Sequence, residues 1–130
     1  MDLLQLESIV MTQLARRVPD LTEHHYPNMS FTKEINDKVP SFPNVYVHEL
    51  EPAEVGISLS NQRIHAVRST FQIEVTTNTN KADAKNVCTA CIYAMKAMRF
   101  SLVSDVYSKQ NNVHRYIIRM RRIIANGDTF

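Results

Sequence analysis

The longest amphipathic pattern in the chain covers residues 81–99 and lies between two runs that alternate like β-strands. Asn80 precedes this segment as a helix cap, Asp83 follows three residues later, and neither glycine nor proline interrupts the pattern. Apolar residues recur at steps of three and four, which places them on one stripe of a helix. The pattern therefore predicts a central helix that buries one face, with core side chains at Val87, Cys88, Cys91, Met95 and Met98.

Alternating apolar and polar residues predict strands on both sides of this helix. Strands are expected at residues 44–50, 67–76 and 113–124, with a further short strand near residues 29–33. The apolar side of these strands supplies the rest of the predicted core, which includes Phe71, Ile73, Val75 and Ile118. Because polar residues take the other side, we expect a sheet with one covered face and one face exposed to water.

A first helix is predicted over about residues 3–17, where leucine and valine recur at helical spacing until Pro19 makes further helix improbable. Residues 52–66 are too long for a tight turn, so they predict a projecting β-hairpin arm with its tip near Ser60. The order of elements predicts one α+β domain over residues 1–130. It has a mostly antiparallel sheet of about four strands and two helices on one face.

Composition limits the classes of function. The chain has 130 residues, 44% of them hydrophobic, and a net charge of +2, which is far from the excess that duplex-binding proteins use. No apolar run approaches the roughly 20 residues that span a bilayer, and Asp2 and Glu7 do not fit a secretory signal. We therefore expect a protein that matures in the cytoplasm and has no membrane partner.

Two patterns suggest metal or redox chemistry, and both have simpler interpretations. Cys88 and Cys91 have the spacing of redox and zinc motifs, but they lie two turns inside the predicted helix, on its apolar stripe. Buried structural thiols are the expected interpretation. His24 and His25 lie in a polar loop without a ligand at helical spacing, and we expect them to be solvated. The sequence predicts no cofactor, no metal and no catalytic constellation.

Arginines in the last predicted strand leave three interpretations open. Arg115, Arg119 and Arg121 share one face of that strand, while Arg122 does not. They form a solvated face paired with carboxylates such as Glu74, a protein interface, or a contact to a phosphate backbone. The candidate interface residues are these three arginines together with the arm residues Ser58, Leu59, Ser60, Asn61, Gln62 and Arg63.

The order of these motifs resembles the tail terminator, or tail completion, proteins of long-tailed bacteriophages, which are often labelled minor capsid proteins. The resemblance covers nearly the whole chain. It depends on Ser41-Phe42-Pro43 before Val45-Tyr46-Val47, Phe71-Gln72-Ile73-Glu74-Val75 before Asn80, Lys81-Ala82 with Ala84-Lys85, Phe100, Asn111-Asn112, and Arg115-Tyr116-Ile117-Ile118-Arg119. The chain departs from the pattern at Arg99, because a glycine commonly precedes the phenylalanine there.

The resemblance implies a structural virion protein without enzymatic activity. Six copies would form a ring at the head–tail junction that caps the tail tube, ends tail growth and joins the tail to the head connector. The expected partners are further copies of the chain, the major tail tube protein and a head-completion protein, while DNA passes through the ring without specific contact. Assembly would take place in the host cytoplasm. The alternative function is a nucleic-acid-binding or regulatory module that uses the arginine face of the last strand. A third possibility, an enzyme that uses Cys88 or Cys91, is remote.

Overall fold

The described part of the chain is an α+β domain of two helices and six strands. In chain order, the computed structural model contains helix α1 (Leu6–Leu21), strands β1 (Ser30–Thr32), β2 (Asn44–Glu49), β3 (Ala53–Ile57) and β4 (Ile64–Thr77), helix α2 (Lys81–Ala97), and strands β5 (Ser101–Gln110) and β6 (Val113–Ala125). It describes residues 6–22, 26–32, 41–50, 53–57, 64–125 and 128–130. The sheet therefore has more strands than the four that the sequence predicts.

The strands form one mixed sheet in the order β1-β2-β4-β6-β5, with β4 and β6 at its centre. All neighbours are antiparallel except β1 and β2, which are parallel. Strand β3 also pairs with β4, so that β2 and β3 lie end to end along the same side of the long central strand. This pairing forms the base of the predicted arm, whose tip at residues 58–63 lies outside the described residues.

Both helices pack on one face of the sheet, which we call the inner face. The side chains of β2, β4 and β6 that point to this face are mostly buried and alternate with more exposed side chains. All nine residues that the sequence places in the core are buried: Phe71, Ile73, Val75, Val87, Cys88, Cys91, Met95, Met98 and Ile118. Burial of each of the larger side chains stabilises the fold by about 1.5–3 kcal/mol.

Helix α2 begins at the cap that the sequence indicates. The Asn80 side chain accepts a hydrogen bond from the backbone N–H of Asp83 at 2.8 Å, which satisfies one of the free amides of the first turn. The carboxylate of Asp83 does not reach back to the cap. It accepts hydrogen bonds from the hydroxyls of Tyr26 and Thr79 instead. Asp83 therefore ties the helix start to the segment before β1.

Helix α2 ends two residues before the predicted boundary, in a left-handed turn. The backbone N–H of Phe100 donates to the carbonyl of Met95, and that of Arg99 donates to the carbonyl of Lys96. These two hydrogen bonds form a Schellman motif, in which the residue after the cap has a positive φ. That residue is Arg99, with φ 69°. Phe100 and Met95 are both buried, as the hydrophobic contact of this motif requires.

Helix α1 continues past the predicted end at residue 17 and includes Pro19 in its last turn. Proline removes one backbone hydrogen bond and disfavours helix. Val18 is fully buried in the same turn, and the packing of its side chain offsets that loss. The prediction was therefore wrong at this end because tertiary packing outweighs the local preference of proline.

Strand β5 is the element for which the sequence pattern assigns no structure. It pairs with β6 through a two-residue turn at Asn111 and Asn112, which have φ values of 50° and 63°. Positive φ at both positions is the type I′ geometry, whose twist matches that of a hairpin. The register shifts between Leu102 and Ser104, so that a bulge interrupts the alternation of the strand.

Candidate functional site

The face of the sheet that points away from the helices, which we call the outer face, carries the arginines that the sequence singles out. Cross-strand register places the outer-face residues of β4 and β6 in rows: Thr76 beside Arg115, Glu74 beside Ile117, Gln72 beside Arg119, Thr70 beside Arg121 and Arg68 beside Ile123. No described helix covers these rows. The outer face therefore presents the side chains of four exposed arginines to solvent: Arg68, Arg115, Arg119 and Arg121.

Two of the three predicted interface arginines have partners on the outer face. The Nε atom of Arg115 lies 3.8 Å from a carboxylate oxygen of Glu74, and the Nε–H of Arg119 donates to the side-chain oxygen of Gln72 at 3.1 Å. The Arg115 side chain is 45% exposed, so solvent screens its ion pair and the pair contributes little to stability. Arg121 lies beside Thr70 and Ser101 in neighbouring strands. The positive character of the outer face thus increases toward Arg121.

Arg122 points to the inner face and has a different environment from the other three. Its side chain is 6% exposed, and one guanidinium nitrogen donates at 2.9 Å to the carbonyl oxygens of Met98 and Thr129. The other terminal nitrogen lies 3.5 Å from the Asp128 carboxylate, and the guanidinium lies over the Phe130 ring. Arg122 therefore connects the end of α2 to the last residues of the chain.

Strand β5 forms one edge of the sheet. One of its sides pairs with β6, and its other side pairs with no strand that the structure describes. Nearly all of its ten residues are exposed, including the apolar side chains of Leu102, Val103 and Val106, which are 40%, 49% and 57% exposed. An exposed edge strand offers free backbone N–H and C=O groups to another chain. Strand β5 is therefore a surface suited to association.

The other half of the predicted interface lies outside the described residues. Ser58, Leu59, Ser60, Asn61, Gln62 and Arg63 belong to the connection between β3 and β4. The residues on either side of this connection, Ile57 and Ile64, pair directly with each other. The participation of these six residues in an interface stays a prediction.

The two cysteines are packing residues in α2. Cys91 is fully buried and Cys88 is nearly so, and both are free thiols. Burial raises the pKa of Cys88 to about 12, with a smaller contribution from the Asp105 carboxylate, and it raises the pKa of Cys91 well above the ordinary value. Protonated thiols are poor nucleophiles and poor metal ligands. Within the described ranges, no group of three or more His, Cys, Asp or Glu side chains is placed to hold a metal ion. His24 and His25 lie outside those ranges.

A partly buried carboxyl group, that of Glu49, lies on the inner face where β2 meets β4. The Ser69 hydroxyl donates to an Oε atom of Glu49 at 2.6 Å. Burial raises the pKa of Glu49, and the Glu7 carboxylate of α1 raises it further. The Ser69 hydrogen bond and the charge of His48 lower this pKa and so offset part of the increase. Glu49 lies beside Phe71, on the face opposite to the outer-face arginines, so we expect it to affect stability.

A pocket that the sequence pattern does not predict lies where β4, β5 and β6 meet the turn after α2. The pocket has a volume of about 460 Å³ and is lined by Arg68, Arg99, Ser101, Arg121, Arg122, Ile123 and Asp128. Of these residues, the sequence singles out only Arg121 as an interface residue. The signal that could have identified Arg99 is its position directly after a helix, where glycine is preferred.

The comparisons with known proteins assign no family. No protein-family model matches the chain, and no curated protein matches it. Among the described helices, none combines the length and the apolar character that a membrane crossing requires. The proposals below therefore depend on the geometry of the sheet and on the resemblance described above.

Proposed function

We propose that this protein is a structural assembly protein of the neck of a long-tailed bacteriophage. Six copies form a ring that caps the tail tube, ends tail growth and joins the tail to the head connector. The proposed partners are neighbouring copies, the major tail tube protein and a head-completion protein. The protein acts at the head–tail junction of the virion and assembles in the host cytoplasm, without catalytic activity of its own.

The observation that carries this proposal is the exposed edge of β5. A ring of identical subunits needs a heterologous contact, in which one surface of each copy meets a different surface on the next copy. The sheet has two unlike edges, since β5 has ten residues and β1 at the opposite edge has three. Pairing of β5 with the opposite edge of a neighbouring sheet satisfies this requirement. It also buries the apolar side chains of Leu102 and Val106.

The outer face supports the proposal through its composition. Arginine is enriched at protein interfaces, where its guanidinium pairs with carboxylates of the partner. Arg119 and Arg121 are exposed beside the apolar side chains of Ile117 and Ile123. This mixture of arginine and apolar side chains suits contact with the tube protein or the connector. The alternative, a nucleic-acid-binding or regulatory module that uses the arginine face of β6, is less well supported because the Glu74 carboxylate beside Arg115 lowers the positive charge of that face.

The proposal is tested in the phage by a substitution on β5. Val106→Lys places a charge on the exposed edge strand, and lysine there opposes pairing with another strand. Leu21→Lys is the matched control, because Leu21 is similarly exposed but lies at the end of α1. We expect overlong or unattached tails with Val106→Lys and normal particles with Leu21→Lys.

The copy number of the protein at the neck gives the second measurement. Electron microscopy of wild-type particles is expected to show six copies around the tail axis. A different copy number, or absence of the protein from the particle, contradicts the ring. Normal tails with Val106→Lys would leave the ring intact but show that β5 is not its contact surface.

A further inference from the structure

The pocket at the end of the sheet combines side chains from both central strands and from the turn after α2. Arg68 comes from β4, Arg99 from the left-handed turn, Ser101 from the start of β5, and Arg121 from β6. Ser101 and Arg121 are direct cross-strand partners. Three separate parts of the chain therefore surround one open volume, and they contribute the arginines Arg68, Arg99 and Arg121.

Among the described residues, the lining of this pocket has more arginines than carboxylates. Asp128 is the carboxylate of the lining, but its oxygen lies 3.5 Å from Arg122 and accepts the backbone N–H of Ala125. Among the side chains that the structure describes, none forms an ion pair with Arg68, Arg99 or Arg121. Three exposed arginines thus line the pocket without a carboxylate partner in the described part of the chain.

The backbone of Arg99 gives an independent indication that its side chain has a role. At φ 69° the backbone crowds the Cβ atom of any residue other than glycine, and this position of a Schellman motif strongly prefers glycine. A residue that breaks a local preference in this way, without an evident gain in packing, is typical of a functional position. The gain at Arg99 is the guanidinium that it brings to the pocket.

The buried Arg122 makes one wall of the pocket rigid. Both of its terminal nitrogens have partners within the protein, one at the carbonyls of Met98 and Thr129 and the other at the Asp128 carboxylate. Through Met98 it holds the end of α2, directly before Arg99. The turn that carries Arg99 is therefore fixed against β6, which supports a preorganised site.

We propose that this pocket binds a phosphate group. A free phosphate ion or a phosphate monoester carries a charge of about −1.5 to −2 near pH 7 and has at least three strong acceptor oxygens. A carboxylate has one charge and two oxygens in a plane, so it can pair with fewer of the three arginines. The lining contains no aromatic side chain on which a base would stack. The site therefore recognises a phosphate group and not a base. Its charge favours a free phosphate ion, and the phosphodiester of a nucleic acid backbone, with one charge and two terminal oxygens, is the second source that the experiments below distinguish.

The first experiment titrates the purified protein with inorganic phosphate at constant ionic strength, with chloride as the reference anion. Heteronuclear NMR follows the amide signals of the pocket. We expect shifts at Ser101 and Arg121, and Arg99→Gly is expected to weaken binding by about tenfold or more, because it removes charged hydrogen bonds. Arg16→Gln, which removes an exposed arginine of α1, is the control and is expected to bind normally.

Arg99→Gly separates binding from folding, because its two effects have opposite signs. Loss of the guanidinium weakens phosphate binding, whereas glycine relieves the backbone and raises the melting temperature. A variant that is more stable and binds less tightly therefore cannot owe its defect to unfolding. Equal shifts with chloride and phosphate, or unchanged binding by Arg99→Gly, overturns the proposal.

The second experiment identifies the source of the phosphate. A short DNA duplex and poly-glutamate are titrated against the wild type and against Arg99→Gly, by fluorescence anisotropy. DNA binding that weakens with Arg99→Gly assigns the site to a nucleic acid backbone, and binding of inorganic phosphate without DNA assigns it to a free ion. Poly-glutamate that binds more tightly than DNA and phosphate would show a carboxylate site for a protein partner and would overturn the proposal. These measurements use isolated protein, so they do not depend on whether the ring exists.

Discussion

At Arg99, the left-handed backbone conformation lowers the stability of the fold, while the side chain is proposed to bind phosphate. In the folded protein, the left-handed conformation costs an L-amino acid about 1–2 kcal/mol. Arginine offsets part of this cost relative to glycine, because an unfolded chain with arginine has less conformational entropy to lose on folding. We expect Arg99→Gly to raise the free energy of unfolding by about 0.5–1 kcal/mol. Arg99→Ala is the matched control, because it removes the guanidinium and keeps the Cβ atom. It is expected to bind phosphate as weakly as the glycine variant, without the gain in stability.

Glu49 predicts a specific dependence of stability on pH. Its pKa is raised in the folded protein, so the folded state binds a proton more readily than the unfolded state. The free energy of unfolding therefore falls as the pH rises from the ordinary pKa of a glutamate through the raised value, and it is lower above that window. Glu49→Gln keeps an acceptor for the Ser69 hydroxyl and removes the charge.

We expect Glu49→Gln to raise stability near pH 7 and to flatten its change with pH in the acidic range. Urea unfolding at several pH values measures both effects. Asp20→Asn, which removes an exposed carboxylate from the last turn of α1, is measured in parallel as the control for the loss of one negative charge. Greater stability of the wild type than of Glu49→Gln at pH 7 would contradict this prediction.

The cysteines of α2 predict low chemical reactivity. With a pKa of about 12, Cys88 is a thiolate in roughly one molecule in ten thousand at pH 8, and Cys91 is more deeply buried. We expect a thiol reagent to modify neither residue in the native protein and both residues in urea. Replacing both with alanine is expected to lower stability by a few kcal/mol at most and to leave assembly unchanged. Fast modification of the native protein, or a bound stoichiometric metal, contradicts a packing role.

At the scale of elements, the arm between β3 and β4 can be tested separately from the sheet. Ile57 and Ile64 are paired across the two strands, so a two-residue Asn-Gly turn in place of residues 58–63 suits the same hairpin. The replacement leaves the described core unchanged, and we expect little change in the free energy of unfolding. If the arm contacts a neighbour or the tube, tails become overlong or fail to join filled heads. Infectious particles with normal tails would exclude the arm as the contact surface.

The sequence predicts the elements that have one buried face and one exposed face. It does not predict strand β5, because both faces of that strand are exposed. The stripe of α2 and the alternation of β2, β4 and β6 each mark a buried face, so their positions follow from the pattern. Strand β5 has no buried face, and its bulge at Val103 breaks the period of two. Its apolar residues then have no alternation that distinguishes a strand.

The candidate site divides in the same way. The pattern places Arg115, Arg119 and Arg121 on one face of β6, because position in a strand determines the face. It does not bring Arg68 and Arg99 to Arg121, since that pocket depends on the register of β4 with β6 and on the turn after α2. Register and turn geometry are tertiary properties that one sequence does not specify on its own.

At the scale of the whole molecule, a sheet covered on one face has surfaces for several partners at once. The helices protect the inner face, while the outer face, the edge of β5 and the base of the arm point in different directions. A ring subunit needs this separation, since it contacts two neighbours and the structures above and below it. The Val106→Lys and arm variants are therefore expected to affect different contacts. Their effects on assembly should be separable by electron microscopy.

The strand order also determines how the chain acquires its structure over time. The β5–β6 hairpin closes through the two-residue turn at Asn111 and Asn112, and such a local unit forms within microseconds. The central β4–β6 pairing must instead bring together strands that are separated by all of α2 and β5. Closing this long loop costs entropy before the two strands gain their contacts, so we expect it to limit the folding rate. Refolding is therefore expected in the millisecond to second range. Until β4 arrives, the nascent hairpin has two open edges, and refolding at high concentration favours aggregation through them.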